Sequence, residues 1–315
     1  LSPADEDAAS AGPPGKEEQR GEEKEEESGK GAGGPAAPGK APGAELEDEE
    51  IAKVEERAAI SPTIVHETIR KEGEEELKRP AAALAWSGLA AGLSMGFSLV
   101  AEGLLRNHLP DVSWRPLISK FGYSLGFLIV ILGRQQLFTE NTITPVLPLM
   151  HAWSTSKLWQ VLRLWGVVLL TNLLGAFLFA WVVGNTEAFD AGTRATFADI
   201  GRAAADHPFW TLLIRGVFAG WLIALMVWLL PSAEMARVSI IIIITFVVGL
   251  GEFSHIIAGS VEVLYLVMTG ALTFSKYLLS YMVPTLLGNI LGGVALVAAL
   301  NHAQVVAGNK KEEAA

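Results

Sequence analysis

Two polar stretches decide the fold: Gly133-Arg134-Gln135-Gln136-Leu137-Phe138-Thr139-Glu140-Asn141 and Gly251-Glu252-Phe253-Ser254-His255-Ile256-Ile257-Ala258-Gly259-Ser260. Each lies between apolar runs. Residues 121–133 stop at Arg134, and uncharged sequence resumes at Asn141; residues 238–251 stop at Glu252, and apolar character resumes after Ser254. Each first piece is too short to cross a hydrocarbon core, which takes roughly 20 helical residues. Each pair is long enough if the helix breaks at mid-membrane. Such a break survives only where it is buried in protein or lines a polar cavity.

Outward from the breaks, residues 81–101, 164–186, 216–233 and 277–301 carry no charge and are each long enough for a span. The interrupted segments are therefore the second and fifth of six. The pattern predicts an all-α membrane protein of six transmembrane helices, in two inverted three-helix halves with a broken middle helix each. Interruptions at matching places in two halves point to a binding site at the midplane. Gly88, Gly92 and Gly96 recur every four residues, as do Gly288 and Gly292, a spacing that lets helix backbones approach closely.

Composition agrees. Half of the 315 residues are hydrophobic and 18% are charged, too apolar for an ordinary soluble domain. The net charge of −10 resides in residues 1–60, which hold 17 acidic and 7 basic side chains. This segment, with its GAGGPAAPGKAPG run and acidic clusters at 22–27 and 45–50, reads as a disordered low-complexity tail. It is a solvated extension or a partner-binding one. Residues 61–80 predict a helix on the membrane surface, capped by Ser61 with Pro62 in its first turn and Ile64, Val65 and Ile69 on its apolar face. Arg70, Lys71, Lys78 and Arg79 place that side in the cytoplasm. An even number of spans puts residues 307–315, a short tail with Lys310 and Lys311, there too. The first hydrophobic run reads as a retained span rather than a cleaved signal. With no cysteine, disulfides, thiolate metal sites and thiol catalysis are excluded.

Within the breaks, Thr139 and His255 are the side-chain candidates for contact with a solute. A histidine at mid-membrane is costly unless it faces a polar interior. The alternative is a structural histidine that only ties the loop to a neighbouring helix. Arg134 and Glu252 interrupt apolar helices at comparable places in the two halves, and a salt bridge between them is expected to pin the broken helices together. Glu140 is the competing partner for Arg134.

Several of these residues carry a resemblance. Leu-Phe-Thr at 137–139, Phe-x-His-x-x-Ala at 253–258, Asn172-x-x-Gly175-Ala176 and Pro284-x-x-x-Gly288-Asn289-x-x-Gly292-Gly293 resemble the formate/nitrite transporter family over roughly residues 70–305. The string 133–141 is most like its YfdC branch of bacterial inner-membrane proteins. The resemblance implies an aquaporin-like hourglass protomer in a homopentamer, each protomer with its own pore for small monovalent weak-acid anions such as formate, nitrite or hydrosulfide. It implies a pore domain over 81–306, in the cell inner membrane and in contact with lipid, with no cofactor and no nucleic-acid partner. Carried over by position, His255 matches the family's pore histidine, Thr139 its partner and Leu137 the loop leucine of the inner constriction. Phe127 falls beside Leu137, while Tyr123, Val248 and Ile223 fall at the outer constriction. Asn172 and Asn289 fall at loop-stabilising positions.

The chain departs from the family's pattern at Gln136 and Ser254, where acidic residues are usual, at Arg134 and Glu252, where small ones are, and at Gly220, where many members have asparagine. Ala204 stands where the outer loop usually has lysine, with Arg202 nearby. The function expected is a channel or transporter in which a weak acid gains a proton, or is polarised, near His255. A neutral-solute pore in the manner of an aquaglyceroporin, and a non-conducting scaffold that works through its acidic tail, are the alternatives. An enzyme is not expected: the breaks offer no metal-ligand cluster and no convincing nucleophile set.

Overall fold

Ser61 caps the first helix as its sequence predicts. Its Oγ accepts from the Ile64 N–H at 3.3 Å, and Pro62 occupies the first turn. In the computed structural model, which describes residues 60–312 with side chains to Ala307, this helix is α1, Pro62–Lys78. The acidic tail expected over 1–60 lies outside the described residues apart from Ile60. The C-terminal tail is described only as backbone that stays helical to Glu312. The buried stripe of α1 is Val65, Ile69, Gly73 and Leu77, spaced by four. Ile64, one residue out of that register, is 57% exposed rather than on the apolar face. Val65 and Ile69 pack on Ile143, Val146, Leu147 and Ala224. A Cβ at Gly73 would run into the Thr144 carbonyl, so glycine is what lets α1 lie against the first break.

Then follow α2 (Ala81–His108), α3 (Arg115–Leu132), α4 (Val146–His151), α5 (Thr155–Asn185), α6 (Ala191–Ala205), α7 (Phe209–Ser232), α8 (Arg237–Leu250), α9 (Ala258–Met268) and α10 (Phe274–Ala307). No strand occurs among the described residues. Five helices, α2, α3, α5, α7 and α10, are long and apolar enough to cross a membrane; α8 and α9 are shorter and flank the second break. The outer surface carries large apolar side chains such as Leu170, Ile243 and Leu279. Trp86, Trp159 and Trp210 are exposed near helix ends, as expected of a lipid-facing wall with aromatic girdles.

The glycine spacing marks where backbones meet. A side chain at Gly92 would strike the Asn172 backbone of α5. One at Gly220 of α7 would strike the Asn289 backbone of α10, and Gly288 and Gly292 of α10 approach the Leu213 and Val217 carbonyls as closely. So α2 packs on α5 as α7 packs on α10, and Gly220 is needed where the family pattern has asparagine.

The two breaks begin alike. At the end of α3, Gln135 N–H donates to Val130 C=O at 2.9 Å and Arg134 N–H to Ile131 C=O at 3.2 Å. At the end of α8, Phe253 N–H donates to Val248 C=O at 3.0 Å and Glu252 N–H to Gly249 C=O at 3.1 Å. Both are Schellman caps, which place the residue after the cap in the left-handed region. Here those residues are Arg134 at φ +50° and Glu252 at φ +49°, the two non-glycine residues with positive φ among the described residues. Glycine usually fills this position, because a Cβ there costs about 1 kcal/mol.

The expected Arg134–Glu252 salt bridge is absent. Glu252 instead lies 3.4 Å from Arg215 of α7, and Arg134 is exposed. The reason is the inversion itself. The ends of α3 and α8 border different cavities. One is lined by the start of α3 and the end of α8, the other by the end of α3 and the start of α8. Equivalent positions in two antiparallel helices do not face each other.

Candidate pore site

Each break is held by one asparagine. Asn172 Oδ1 accepts from Phe138 N–H at 2.9 Å, and its Nδ2 donates to Gln136 C=O at 2.8 Å and to Gly88 C=O at 2.7 Å. Asn289 repeats this with Ile256 N–H at 2.8 Å, Ser254 C=O at 2.8 Å and Gly216 C=O at 2.9 Å. A side-chain amide offers a donor and an acceptor side by side, which satisfies the backbone that a broken helix leaves open. The residue framed by each clamp is thrust toward the other break: Leu137 in the first, His255 in the second.

Around them lie two cavities. The Lys120 cavity, about 290 Å³, descends from Arg106, Asp111 and Arg115 past Lys120, Tyr123 and Val248 to Ser254 and His255. The Glu140 cavity, about 520 Å³, is bordered by α1 and the first break, including Glu72, Arg134, Gln136 and Glu140. Phe127 and Leu137 line neither cavity and are fully buried in the cluster between them, with Ile223 and Ile256. Tyr123 and Val248 line the Lys120 cavity. Ile223 lies in the partition rather than on the cavity wall.

His255 Nε2 and Thr139 Oγ1 are 2.8 Å apart. His255 Nδ1 accepts from the N–H groups of Ile257 at 3.3 Å and Ala258 at 3.2 Å, at the start of α9. An imidazole nitrogen that accepts two backbone donors carries no hydrogen, so Nε2 is the protonated nitrogen and donates to Thr139. The Thr139 hydroxyl then has its own hydrogen to offer. The Phe127 ring meets the imidazole edge-on, with centroids 4.9 Å apart. Two donors thus sit against an apolar partition. The imidazole is tied to its own loop through Nδ1 and to Thr139 through Nε2, and it lines the Lys120 cavity.

Ala204 borders the Lys120 cavity, and Arg202 pairs with Asp199 outside it. Besides Arg106 and Arg115, the cavity is lined by Lys120, which is ion-paired to Glu102 at 2.5 Å, and by Glu262. The sequence reading passed over Glu102 and Glu262. The signal that finds them is the one that found His255: an ionisable residue inside an apolar helix.

A profile of the family described as Formate/nitrite transporter matches residues 63–303. The chain is 45% identical to the inner membrane protein YfdC of Escherichia coli K12 over 251 residues, 80% of this chain and 81% of that one. Among solved structures, a pentameric formate channel with formate bound covers 75% of this chain and 99% of its own, with a TM-score of 0.60 and 21% identity. An FNT family ion channel covers 75% and 97%, with a TM-score of 0.65 and 20% identity. With most of its length matched by the family profile and nearly half of its aligned residues shared with YfdC, this multi-pass membrane chain belongs to the formate/nitrite transporter family.

Proposed function

We propose that this chain is the protomer of a pentameric inner-membrane pore for small monovalent weak-acid anions of the formate/nitrite type. The observation that carries the reading is the 2.8 Å contact between Thr139 and His255, with His255 at the floor of one cavity and Thr139 fully buried behind it, against an apolar partition. The α8–break–α9 segment completes the sixth crossing. The arginines and lysines of α1 keep both termini and the Glu140 cavity on the cytoplasmic side, so the Lys120 cavity opens outward. Residues 61–80 form the surface helix and 81–306 the pore.

A bare anion at the Phe127–Leu137 partition would lose its hydration, at a cost of several kcal/mol or more. The Thr139 hydroxyl hydrogen is free to donate at that point, and the Nε2–H of His255, which donates to Thr139, can turn from it to the solute. They polarise the solute as it sheds water and favour its crossing as the neutral acid. The test is flux in proteoliposomes across a panel of weak acids at two pH values. Formate and nitrite should pass faster at the lower pH, and equal, pH-independent flux of formate and glycerol would reject the reading.

One observation bears on the form in which the solute crosses. The Glu140 cavity is bordered by Glu72, Glu75, Glu76, Glu140 and Glu234 against Arg134 and Arg237, an acidic mouth that repels anions. A solute that reaches it as the neutral acid meets no such barrier, so this mouth is compatible with weak-acid passage and not with a free anion path.

A further inference from the structure

The pore needs a group that exchanges a proton with the solute, and the geometry at His255 argues against the imidazole. Adding a proton to Nδ1 would set an N–H against the Ile257 and Ala258 N–H groups and break both bonds that hold the ring.

Glu262 of α9 is 8% exposed and lines the Lys120 cavity. It makes no ion pair within 4.0 Å and no hydrogen bond among the described residues. Glu102, 1% exposed, has instead taken the Lys120 ammonium at 2.5 Å, and apart from that ion pair its carboxylate oxygens have no hydrogen-bond partner. The groups that share this cavity with Glu262 include Glu102 of α2, Lys120 and Tyr123 of α3, Glu252 at the end of α8, and Tyr281 of α10. Tyr281 also reaches the His255 carbonyl at 3.4 Å. The cavity lining thus includes two buried carboxyl groups, Glu102 and Glu262, and the Lys120 ammonium, and the second carboxyl has no partner among the described residues. Glu262 gains or gives up a proton without breaking a bond present in the structure. His255 does not.

We propose that Glu262 is the proton-exchange group of this pathway, and that Lys120 and Glu102 hold the charge beside it in balance. The proposal rests on the reading of the chain as a weak-acid pore. Hydronium from the outer solution protonates the Glu262 carboxylate through the open cavity. When an anion arrives, the Glu262 O–H bond breaks, its electron pair stays on the carboxylate, and the proton bonds to an oxygen of the solute. The Glu262 carboxylate left behind faces the Lys120 ammonium. The neutral acid moves down to Thr139 and His255 and through the partition. In the reverse direction the acid returns its proton to Glu262. The placement suits the chemistry: the exchange occurs above the apolar step, where the charge is still hydrated, rather than at it.

Two measurements on the full-length assembly test this. The first is independent of any solute. Infrared difference spectra across a pH titration of the wild type should contain a carboxylic C=O band that is lost in Glu262→Gln and shifted in Glu262→Asp. The second is formate flux against pH in proteoliposomes. Glu262→Gln should lose the acid-stimulated component, and Glu262→Asp should keep it. A carboxyl difference spectrum in Glu262→Gln identical to that of the wild type, or a wild-type pH profile in that variant, overturns the proposal. If Glu262→Gln fails to assemble, the band shift in Glu262→Asp decides alone, and its absence counts against Glu262. Absence of formate flux in the wild type with the band assigned to Glu262 would reject the transport reading and leave the titrating group in place. Absence of the band with normal formate flux rejects the exchange role and leaves the transport reading standing.

Discussion

Leu137 and His255 occupy equivalent places in the two breaks, each between backbone groups clamped by an asparagine of the same half. The first break presents an aliphatic side chain and the second an imidazole. The caps before them have the same hydrogen bonds and the same left-handed residue. Their surroundings differ. Glu252 is braced by Arg215, whose Nη1 lies 3.4 Å from its carboxylate and 3.5 Å from its carbonyl, and 2.8 Å from His207. Arg134 has no ion-pair partner among the described residues and stands exposed at the Glu140 cavity. The scaffold obeys the internal symmetry, and the chemistry is what departs from it.

The largest effects should come where the symmetry is complete. Asn172→Ala and Asn289→Ala each strand three buried backbone groups, at about 1–3 kcal/mol apiece. Each variant should lose roughly 3 kcal/mol or more, and the two losses should match. Thermal unfolding of the purified assembly measures this, and a clear inequality would break the equivalence of the clamps.

Leu137→Ala comes next. It removes a fully buried side chain from the partition, which typically costs about 2–5 kcal/mol. It also opens the narrow region, so the ratio of acetate to formate flux should rise. An unchanged ratio would place the size filter elsewhere.

Smaller effects should separate the two caps. Arg134→Gly relieves the left-handed position without losing an ion pair and should stabilise by about 1 kcal/mol. Glu252→Gly relieves the same position but also removes the Arg215 contact, so its net effect should lie closer to zero. Equal stabilisation of both would mean that the Arg215 contact contributes nothing.

Most of this symmetry was legible in the sequence. The glycine spacing, the two asparagines and the polar interruptions are local signals, and the helices follow them closely. The salt bridge failed because it treated sequence equivalence as spatial contact. Inverted halves carry Arg134 and Glu252 to different cavities, and only the three-dimensional arrangement gives Glu252 its neighbour, Arg215, 37 positions earlier. Ile64 failed for a simpler reason: with a short apolar stripe, one residue of register separates the buried face of α1 from the exposed one. The grouping of Glu102, Lys120 and Glu262 was hidden because its members come from three helices far apart in the chain.

The smallest effect concerns α1, which leans on the first break as α6 leans on the start of α9: a Cβ at Gly73 would meet the Thr144 carbonyl, and one at Gly201 the Glu262 carbonyl. His66 Nε2 lies 3.0 Å from His302 Nδ1. Burial, then the neighbouring His302, holds the His66 imidazole below its usual value, with Glu67 opposing and His151 and Arg70 adding to the shift. Undocked α1 therefore binds a proton in a range where docked α1 does not. Docking is complete above a pH of about 6.5 and weakens as the pH falls below it. Hydrogen exchange over residues 62–78 should quicken at lower pH in the wild type and less so in His66→Phe. Equal acceleration in both would remove His66 as the cause.

The account stands most directly on the difference between His255 and Leu137, and His255→Leu makes the second break chemically like the first. A hydrogen bond to a charged solute contributes about 1.5–3 kcal/mol, so its loss at the partition should lower formate flux about 10- to 100-fold. Formate uptake by proteoliposomes containing His255→Leu, in an assembly of unchanged size, is the measurement. A fall of that order agrees with a polarising histidine at the partition. Wild-type flux in the substituted pore would contradict it.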